Sequence, residues 1–246
     1  MNSQHKALLI VVAMCAAAAS QAIIIASDNA DHPTYNDGWQ LTDNSITGYN
    51  PWVQFQAGGG RYIGPSVDGD SRSFGLFNGG GYSVGRPLQV GLSAGFYTVI
   101  GRHNVDNSQG FSGFNVKSSV GSTFGAGQIL AWGLTPSTGN QKVYLSDGNT
   151  INLGVELRGR TLSYSLQFGG GNYTLRVVDV NNLSINGLVS GSFSGSIYSV
   201  GFAQFNNGSF QDLLFDRPTF DAVPEPGTMA AMAAALGAFA LRRRKR

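Results

Sequence analysis

Alternation of apolar and polar residues with period 2 dominates the chain between Ile23 and Asp221, and no apolar period of 3.6 is sustained there. Turn-forming segments such as Asp68-Gly69 and Asp147-Gly148-Asn149 separate the alternating runs. About a dozen short strands at this spacing predict an all-β antiparallel fold, either a β-sandwich or a barrel. The predicted strands are 52–55, 73–77, 88–92, 96–100, 111–116, 128–132, 141–145, 151–157, 162–168, 173–180, 197–205 and 212–215.

Three triple-glycine segments, Gly58–Gly60, Gly79–Gly81 and Gly169–Gly171, each lie between two aromatic residues. Glycine adopts the positive φ angles that tight hairpin loops require, and the flanking aromatic side chains can pair across strands. Each segment is therefore predicted to be a hairpin loop. A nucleotide-binding loop is not expected, because no helix is predicted after any of them.

The N-terminal 22 residues have the pattern of a secretory signal peptide. A short, weakly basic start is followed by an apolar stretch from Ala7 to Ala19, and Ser20-Gln21-Ala22 offers the small residues that a signal peptidase recognises. Cleavage after Ala22 is expected. The single cysteine of the chain, Cys15, lies inside this segment, so the mature chain would contain neither a disulfide nor a thiolate ligand.

Residues 223–246 form a second targeting segment. Pro224, Glu225 and Pro226 interrupt regular structure, and the 15 residues from Gly227 to Leu241 are uncharged and favour helix. Such a helix spans roughly 22 Å, short of the ~30 Å hydrocarbon core, and long basic side chains extend its reach. A cationic end is expected to stay in the cytoplasm. It consists of Arg242, Arg243, Arg244, Lys245 and Arg246.

The order of motif, short helix and basic tail resembles the PEP-CTERM sorting signal of exported bacterial proteins. The resemblance implies recognition by an exosortase, a membrane intermediate before processing, and a final place at the cell surface or in the extracellular matrix. The alternative is a plain C-terminal membrane anchor that no enzyme cleaves.

Residues 23–222 would then form one domain. Its opening, Ser27–Ala30 through Asn36–Trp39 to Asn50–Val53, and its end, Asp212–Asp216, resemble jelly-roll bodies of the concanavalin-like and laminin-G-like group. That resemblance implies two packed antiparallel sheets, with a concave face or edge loops that often bind glycans. It leaves the sandwich as the fold class that we expect.

Charge argues against a nucleic-acid partner. The formal charge of the whole chain is +2, but Lys6 and the five terminal cations all belong to targeting segments. Between Ile23 and Val223 ten basic residues stand against thirteen acidic ones, so this region has a net charge near −3. The basic surface that nucleic acid requires is absent from its composition.

Enzymatic activity is not expected from the residues available. The mature body holds two histidines, His32 and His103, and one glutamate, Glu156, which we expect to face solvent beside Arg158 and Arg160. Neither a zinc site nor the carboxylate pair of a retaining glycosidase has a clear candidate. A polysaccharide lyase that uses His103 or a tyrosine as its base is the enzyme least excluded.

Two kinds of binding site remain open. Trp39, Trp52 and Trp132 are candidate sugar platforms, with core packing as the alternative for each. Asp68 and Asp70 place carboxylates at alternate positions, which suits calcium, although a polar turn is the favoured interpretation. The function expected is a non-enzymatic matrix or adhesion protein that binds extracellular polysaccharide. The alternatives are a purely structural biofilm matrix protein and, less favoured, a polysaccharide lyase or hydrolase.

Overall fold

The computed structural model describes residues 23–44, 47–69, 72–104, 110–135, 141–205 and 212–222, and these contain thirteen strands and a short 3-10 helix at Pro33–Tyr35. Ile25–Phe220 form one compact unit, and only residues 23–24 and 221–222 of the other unit are described. The strands are β1 Ile23–Ser27, β2 Val53–Pro65, β3 Arg72–Leu92, β4 Gly95–His103, β5 Phe111–Lys117, β6 Gln128–Leu134, β7 Lys142–Leu145, β8 Thr150–Asn152, β9 Thr161–Gly169, β10 Asn172–Asp179, β11 Asn182–Ser192, β12 Ile197–Phe205 and β13 Asp212–Ala222.

The predicted all-β antiparallel fold is confirmed. Hydrogen bonding connects the strands in the order β11-β10-β9-β4-β13-β3-β12-β5-β6-β7-β8, with β1 on β13 and β2 on β3. The two end strands are in contact without being paired, because Ile151 of β8 packs against Gly187 of β11. The strands therefore curl as a sandwich over one large apolar core, and Phe124, Ala131 and Ala203 form a small separate cluster.

No helix among the described residues is long and apolar enough to cross a bilayer. The predicted signal peptide and the predicted C-terminal helix both lie outside the described ranges.

Strand β3 belongs to both halves of the sandwich. Its first part, Phe74–Phe77, pairs with Phe215–Asp212 of β13, and its second part pairs with β12 from Tyr82 onward. Strand β2 runs along the opposite edge of both parts. The two-stranded β2–β3 ribbon thus joins the halves of the sandwich along one side.

Aromatic rings fill the space between the two halves. The ring of Phe202 on β12 stacks on Phe215 of β13, with ring centroids 4.1 Å apart and planes within 10°. Phe114 and Phe74 pack edge-on or tilted around this pair. Aromatic contacts of this kind add roughly 0.5–1.5 kcal/mol each beyond the area that they bury. The stack is the direct contact that holds β12 and β13 face to face.

Two of the three predicted glycine hairpins are wrong. Gly58–Gly60 lies inside β2 and Gly79–Gly81 lies inside β3, and the two segments face each other in the ladder, where Gly58 pairs with Gly81. The register shifts between Gly58 and Gly59, so the ribbon has a bulge at this point. The third segment, Gly169–Gly171, does form the β9–β10 hairpin as predicted.

Strand β11 was not among the predicted strands. It lies at the end of the strand order and pairs with β10 from Asn172–Ser192 to Asp179–Asn182. Its exposed positions hold Ser and Asn as well as leucine, so the contrast between its two faces is weak. Edge strands of this composition carry little of the alternation on which sequence-based prediction depends.

A buried ion pair attaches the loop before β2 to strand β3. The Asp28 carboxylate lies 2.8 Å from Arg86 Nη2, and both side chains are fully buried. The Tyr35 hydroxyl donates to Asp28 at 2.8 Å, and Trp52 Nε1 donates to the Tyr35 oxygen at 3.1 Å. Arg86 Nη1 also donates to the Asn50 carbonyl at 2.6 Å, and its guanidinium lies 4.7 Å from the Trp52 ring. The partners named here, Tyr35, Asn50 and Trp52, all belong to the 28–52 segment.

Replacement of Arg86 by methionine is expected to lower the free energy of unfolding by about 3–5 kcal/mol, because the Asp28 charge would stay buried without its partner. Denaturant titration of the full chain measures the change. Arg176→Met, at an exposed arginine on β10, is the control and should change stability by less than about 0.5 kcal/mol. Equal losses in the two variants would contradict the role given to the buried pair.

Candidate functional site

The three tryptophans proposed as sugar platforms are all in the core. Trp39 and Trp52 are 4% and 3% exposed and pack on each other with centroids 4.7 Å apart. Trp132 is fully buried, between Tyr97 and Phe114. A buried ring has no free face for a sugar. The positions of these three side chains therefore fit the core-packing alternative.

Asp68 already has a cationic partner within the protein. Arg217 Nε lies 2.9 Å from Asp68 Oδ2, and the Asp68 side chain is buried. Arg217 has a φ of +52°, a left-handed conformation that costs a non-glycine residue roughly 1–3 kcal/mol and that the ion pair helps to hold. Asp70 lies outside the described residues. Among those that are described, no group of three or more His, Cys, Asp or Glu side chains could hold a metal ion.

His103 is a core residue with both ring nitrogens hydrogen-bonded. Its Nδ1 lies 2.9 Å from Ser112 Oγ, and its Nε2 lies 2.8 Å from the Tyr164 hydroxyl. Burial lowers the pKa of His103 to about 3, against the smaller opposing effect of the Ser112 hydrogen bond. Burial likewise raises the pKa of Tyr164 well above its usual range. The imidazole is neutral and has no open path to a substrate.

Glu156 is exposed, as predicted, and its carboxylate lies 3.8 Å from Arg158 Nε. Arg160 instead pairs with Asp179 at 2.7 Å. None of these contacts places a second carboxylate beside Glu156, so the described residues do not assemble the acid pair of a glycosidase there.

The site with the best geometry for a ligand is an open groove of about 380 Å³ on the β2–β3 ribbon, hereafter the Phe77 groove. Phe77 is 46% exposed, and the outer end of its ring is so close to the Gly60 backbone that a Cβ at Gly60 would come within 2.3 Å of it. The glycine therefore allows the aromatic ring to rest directly on the main chain. The remainder of the ring faces solvent.

Polar side chains form the other wall of the Phe77 groove. Arg61 Nη1 donates to the Tyr82 hydroxyl at 2.8 Å, and that hydroxyl donates to Gln54 Oε1 at 3.0 Å. Arg61 Nε donates to the Trp39 carbonyl at 2.9 Å. These hydrogen bonds fix the guanidinium beside the exposed ring, so an apolar surface and several polar groups are presented together.

A second cavity, of about 290 Å³, lies near Asp28, His32 and Arg217. Two of its charged groups already have partners outside its lining, since Arg217 pairs with Asp68 and Asp28 pairs with Arg86. The Phe77 groove has an exposed aromatic ring in addition to its polar groups. It is therefore the better candidate for a binding site.

Two glycine segments of the sequence mark the Phe77 groove. The pattern of Gly58–Gly60 and Gly79–Gly81 between aromatic residues predicts loops, whereas in the structure these segments are the point where the ribbon has its bulge and an aromatic ring lies on the backbone. Glycine within a strand is a known sign of a bulge or of close approach to the backbone. Nothing in the order of residues showed that these two segments would pair with each other.

The structure is an antiparallel β-sandwich with a groove on its surface. Comparison with known proteins adds a sorting motif. Residues 222–245 match the PEP-CTERM protein-sorting motif, and all of them except Ala222 lie outside the described ranges. The motif implies export, processing by an exosortase and a membrane-anchored intermediate before arrival at the cell surface. No curated protein sequence matched the chain.

Several solved structures resemble the chain at low sequence identity. The apo Crh5 transglycosylase has a TM-score of 0.50 and 9% identity, with 76% of this chain and 84% of that chain covered. Lectin II from Ulex europaeus has a TM-score of 0.49 and 9% identity, covering 81% and 99%. The carbohydrate-binding module CBM66 from Bacillus subtilis has a TM-score of 0.44 and 8% identity, covering 70% and 95%. The likeness to Crh5 supports the fold and says nothing of activity.

Stability should depend on pH through His103. Between pH 6.5 and about 3 the unfolded chain binds a proton that the folded chain does not, so stability falls as pH decreases through this range. Buried Asp216, with its pKa raised to about 7 chiefly by burial, has the opposite effect, since its contribution is lost as pH rises from 3.8 to 7. Wild type must therefore be compared with a variant that alters only His103.

His103→Gln is expected to be less stable than wild type at pH 7, with a difference that shrinks by about 2 kcal/mol at pH 4.5. Urea titration at several pH values measures it. Ser112→Ala keeps the buried imidazole and should keep the acid-side fall in stability. A difference between wild type and His103→Gln that does not vary with pH would overturn the assignment.

Proposed function

We propose that this exported protein functions at the cell surface or in the exopolysaccharide matrix as a non-enzymatic carbohydrate-binding module, with the Phe77 groove as its binding site. The observation that carries the proposal is the exposed Phe77 ring seated on Gly60 beside the fixed Arg61–Tyr82–Gln54 hydrogen bonds. A sugar has apolar C–H faces and a polar rim, and the groove offers a surface for each.

The proposal assigns the platform role to Phe77 in place of the tryptophans. Trp39 contributes to the groove through its carbonyl, which holds Arg61, and through a mostly buried indole below the surface. Trp52 and Trp132 have a structural role. The proposal also requires no catalytic base, which agrees with the enclosed position of His103.

Calcium is not required for this function. The carboxylate of Asp68 is paired with Arg217, so a calcium ion bound through Asp68 and Asp70 would have to displace that guanidinium. Binding to polysaccharide should therefore be the same in the presence of calcium and of a chelator. Each binding measurement is therefore made both with calcium and with a chelator.

A second function, self-association in the matrix, is favoured by strand β11. Within the described residues β11 pairs only with β10, and Leu183 and Leu188 on it are 72% and 67% exposed. The sequence from Asn181 to Gln211 contains no charged residue. Natural edge strands are commonly protected by charge, and an uncharged edge can accept a strand from another copy. This device would serve a structural matrix protein.

Phe77→Ala should weaken polysaccharide binding at least tenfold, because burial of a phenylalanine side chain contributes about 1.5–3 kcal/mol and 1.4 kcal/mol is a tenfold change. The full chain, purified in detergent, is titrated on a panel of immobilised polysaccharides that includes the producer's own matrix. Tyr198→Ala is the matched control, since Tyr198 is 48% exposed and lies on Gly91 elsewhere along β3. Equal binding by the two variants would exclude the Phe77 groove as the site.

Leu188→Lys tests the second function. A charge in the middle of β11 should reduce the fraction of oligomer in sedimentation velocity of the purified chain, while Tyr198→Lys on β12 should leave it unchanged. A wild-type chain that stays monomeric at all concentrations would remove self-association as a function of this edge.

A further inference from the structure

Arg61 differs from most other arginines of the described residues in the partners that it has. Five arginines lie within 4.0 Å of a carboxylate: Arg72, Arg86, Arg158, Arg160 and Arg217. The recorded partners of Arg61 are the Trp39 carbonyl, the Tyr82 hydroxyl and the Gln54 amide oxygen, all of them neutral. Its positive charge is thus held in place without being neutralised by a described acidic side chain.

The walls of the Phe77 groove contain no acidic residue among those described. Asp43 is near its rim, and its Oδ2 already accepts a hydrogen bond from the Gln40 backbone at 2.6 Å. The groove therefore presents one fixed cation, through Arg61, and no negative charge of its own on its lining.

Arg61 is the charged donor of the Phe77 groove. The Trp39 indole is 4% exposed and packs on Trp52 in the core, so its buried Nε1 is not presented to a ligand. The Tyr82 proton is already donated to Gln54. A ligand that fits this site is therefore expected to bring an acceptor for the Arg61 guanidinium.

We infer that the Phe77 groove selects an anionic sugar residue, with the carboxylate or sulfate group bound by the Arg61 guanidinium and the apolar face of the same sugar on the Phe77 ring. The inference rests on the proposed function and adds the class of ligand to it. A guanidinium binds oxyanions through charge-assisted hydrogen bonds, which are roughly twice as strong as neutral ones. The ring beside it supplies selectivity for a sugar over a free anion.

The charge of the chain decides how an anionic preference is to be interpreted. The body between Ile23 and Val223 has a net charge near −3 and repels a polyanion, whereas the full chain reaches +2 through Lys6 and the cations at 242–246. The part of an anionic preference that depends on Arg61 is therefore the part that reports on the Phe77 groove.

The test compares polymers that share a backbone and differ in charge. Polygalacturonate is set against the same polymer with its carboxylates fully methyl-esterified, and dextran sulfate is set against dextran. We expect the full chain in detergent to bind at least one anionic polymer ten or more times tighter than its neutral form. A difference between polygalacturonate and its ester indicates a carboxylate ligand, and a difference between dextran sulfate and dextran indicates a sulfate ligand.

Variants link the preference to its residues. Arg61→Gln should reduce the anionic-to-neutral affinity ratio to near one, while Phe77→Ala should weaken both polymers of a pair. Arg61→Lys keeps the charge without the planar fork and should retain part of the ratio. Arg176→Gln removes an exposed arginine elsewhere and should leave the ratio unchanged.

The failures can be told apart. Equal wild-type affinity for both members of each pair, with binding that still depends on Phe77, overturns the anionic preference and leaves carbohydrate binding in place. An equal loss of ratio in Arg61→Gln and Arg176→Gln overturns it as well. No binding to any polymer, by a chain shown to be folded, overturns both. Equal wild-type affinity overturns the preference without any variant, and if Arg61→Gln fails to fold, an unchanged ratio in Arg61→Lys overturns the role of the planar guanidinium.

Discussion

The buried pair of Asp28 and Arg86 is the interaction on which the rest of the structure depends. It takes two charges out of water, and hydrogen bonds from the Tyr35 hydroxyl to Asp28 and from Arg86 to the Asn50 carbonyl offset part of the cost of that burial. Through these contacts the segment between β1 and β2 is held against β3. Trp39 belongs to that segment, and its carbonyl holds Arg61. The groove on the surface is thus positioned by charges in the core.

Strand β3 connects the core to the binding surface. It pairs with β13 and then with β12, so both halves of the sandwich are built on one continuous piece of chain. The change of partner falls near the glycine bulge shared with β2, where Phe77 rests on Gly60. The same local geometry that lets the sandwich change direction also exposes an aromatic ring beside polar groups. Architecture and binding surface have a common origin here.

The sequence predicts the fold well and the site poorly, for a physical reason. Period-2 alternation is a local property, and it found most strands, including the turn between Leu92 and Gly95. The Phe77 groove depends on contacts between segments, such as Gly58 with Gly81 and Phe77 with Gly60, which no local pattern records. The tryptophans were ambiguous because the same residue type suits a core and a sugar platform, and only burial separates the two.

Gly60 carries a consequence for how such a surface changes over evolutionary time. The residue makes no side-chain contact of its own, yet a single added methyl group would collide with the Phe77 ring. A substitution at this glycine would therefore abolish ligand binding, and its reversion would restore it. Every polar contact in the groove would stay intact. Divergence in ligand preference among such exported proteins would then be traced through their glycines before their aromatic or charged residues.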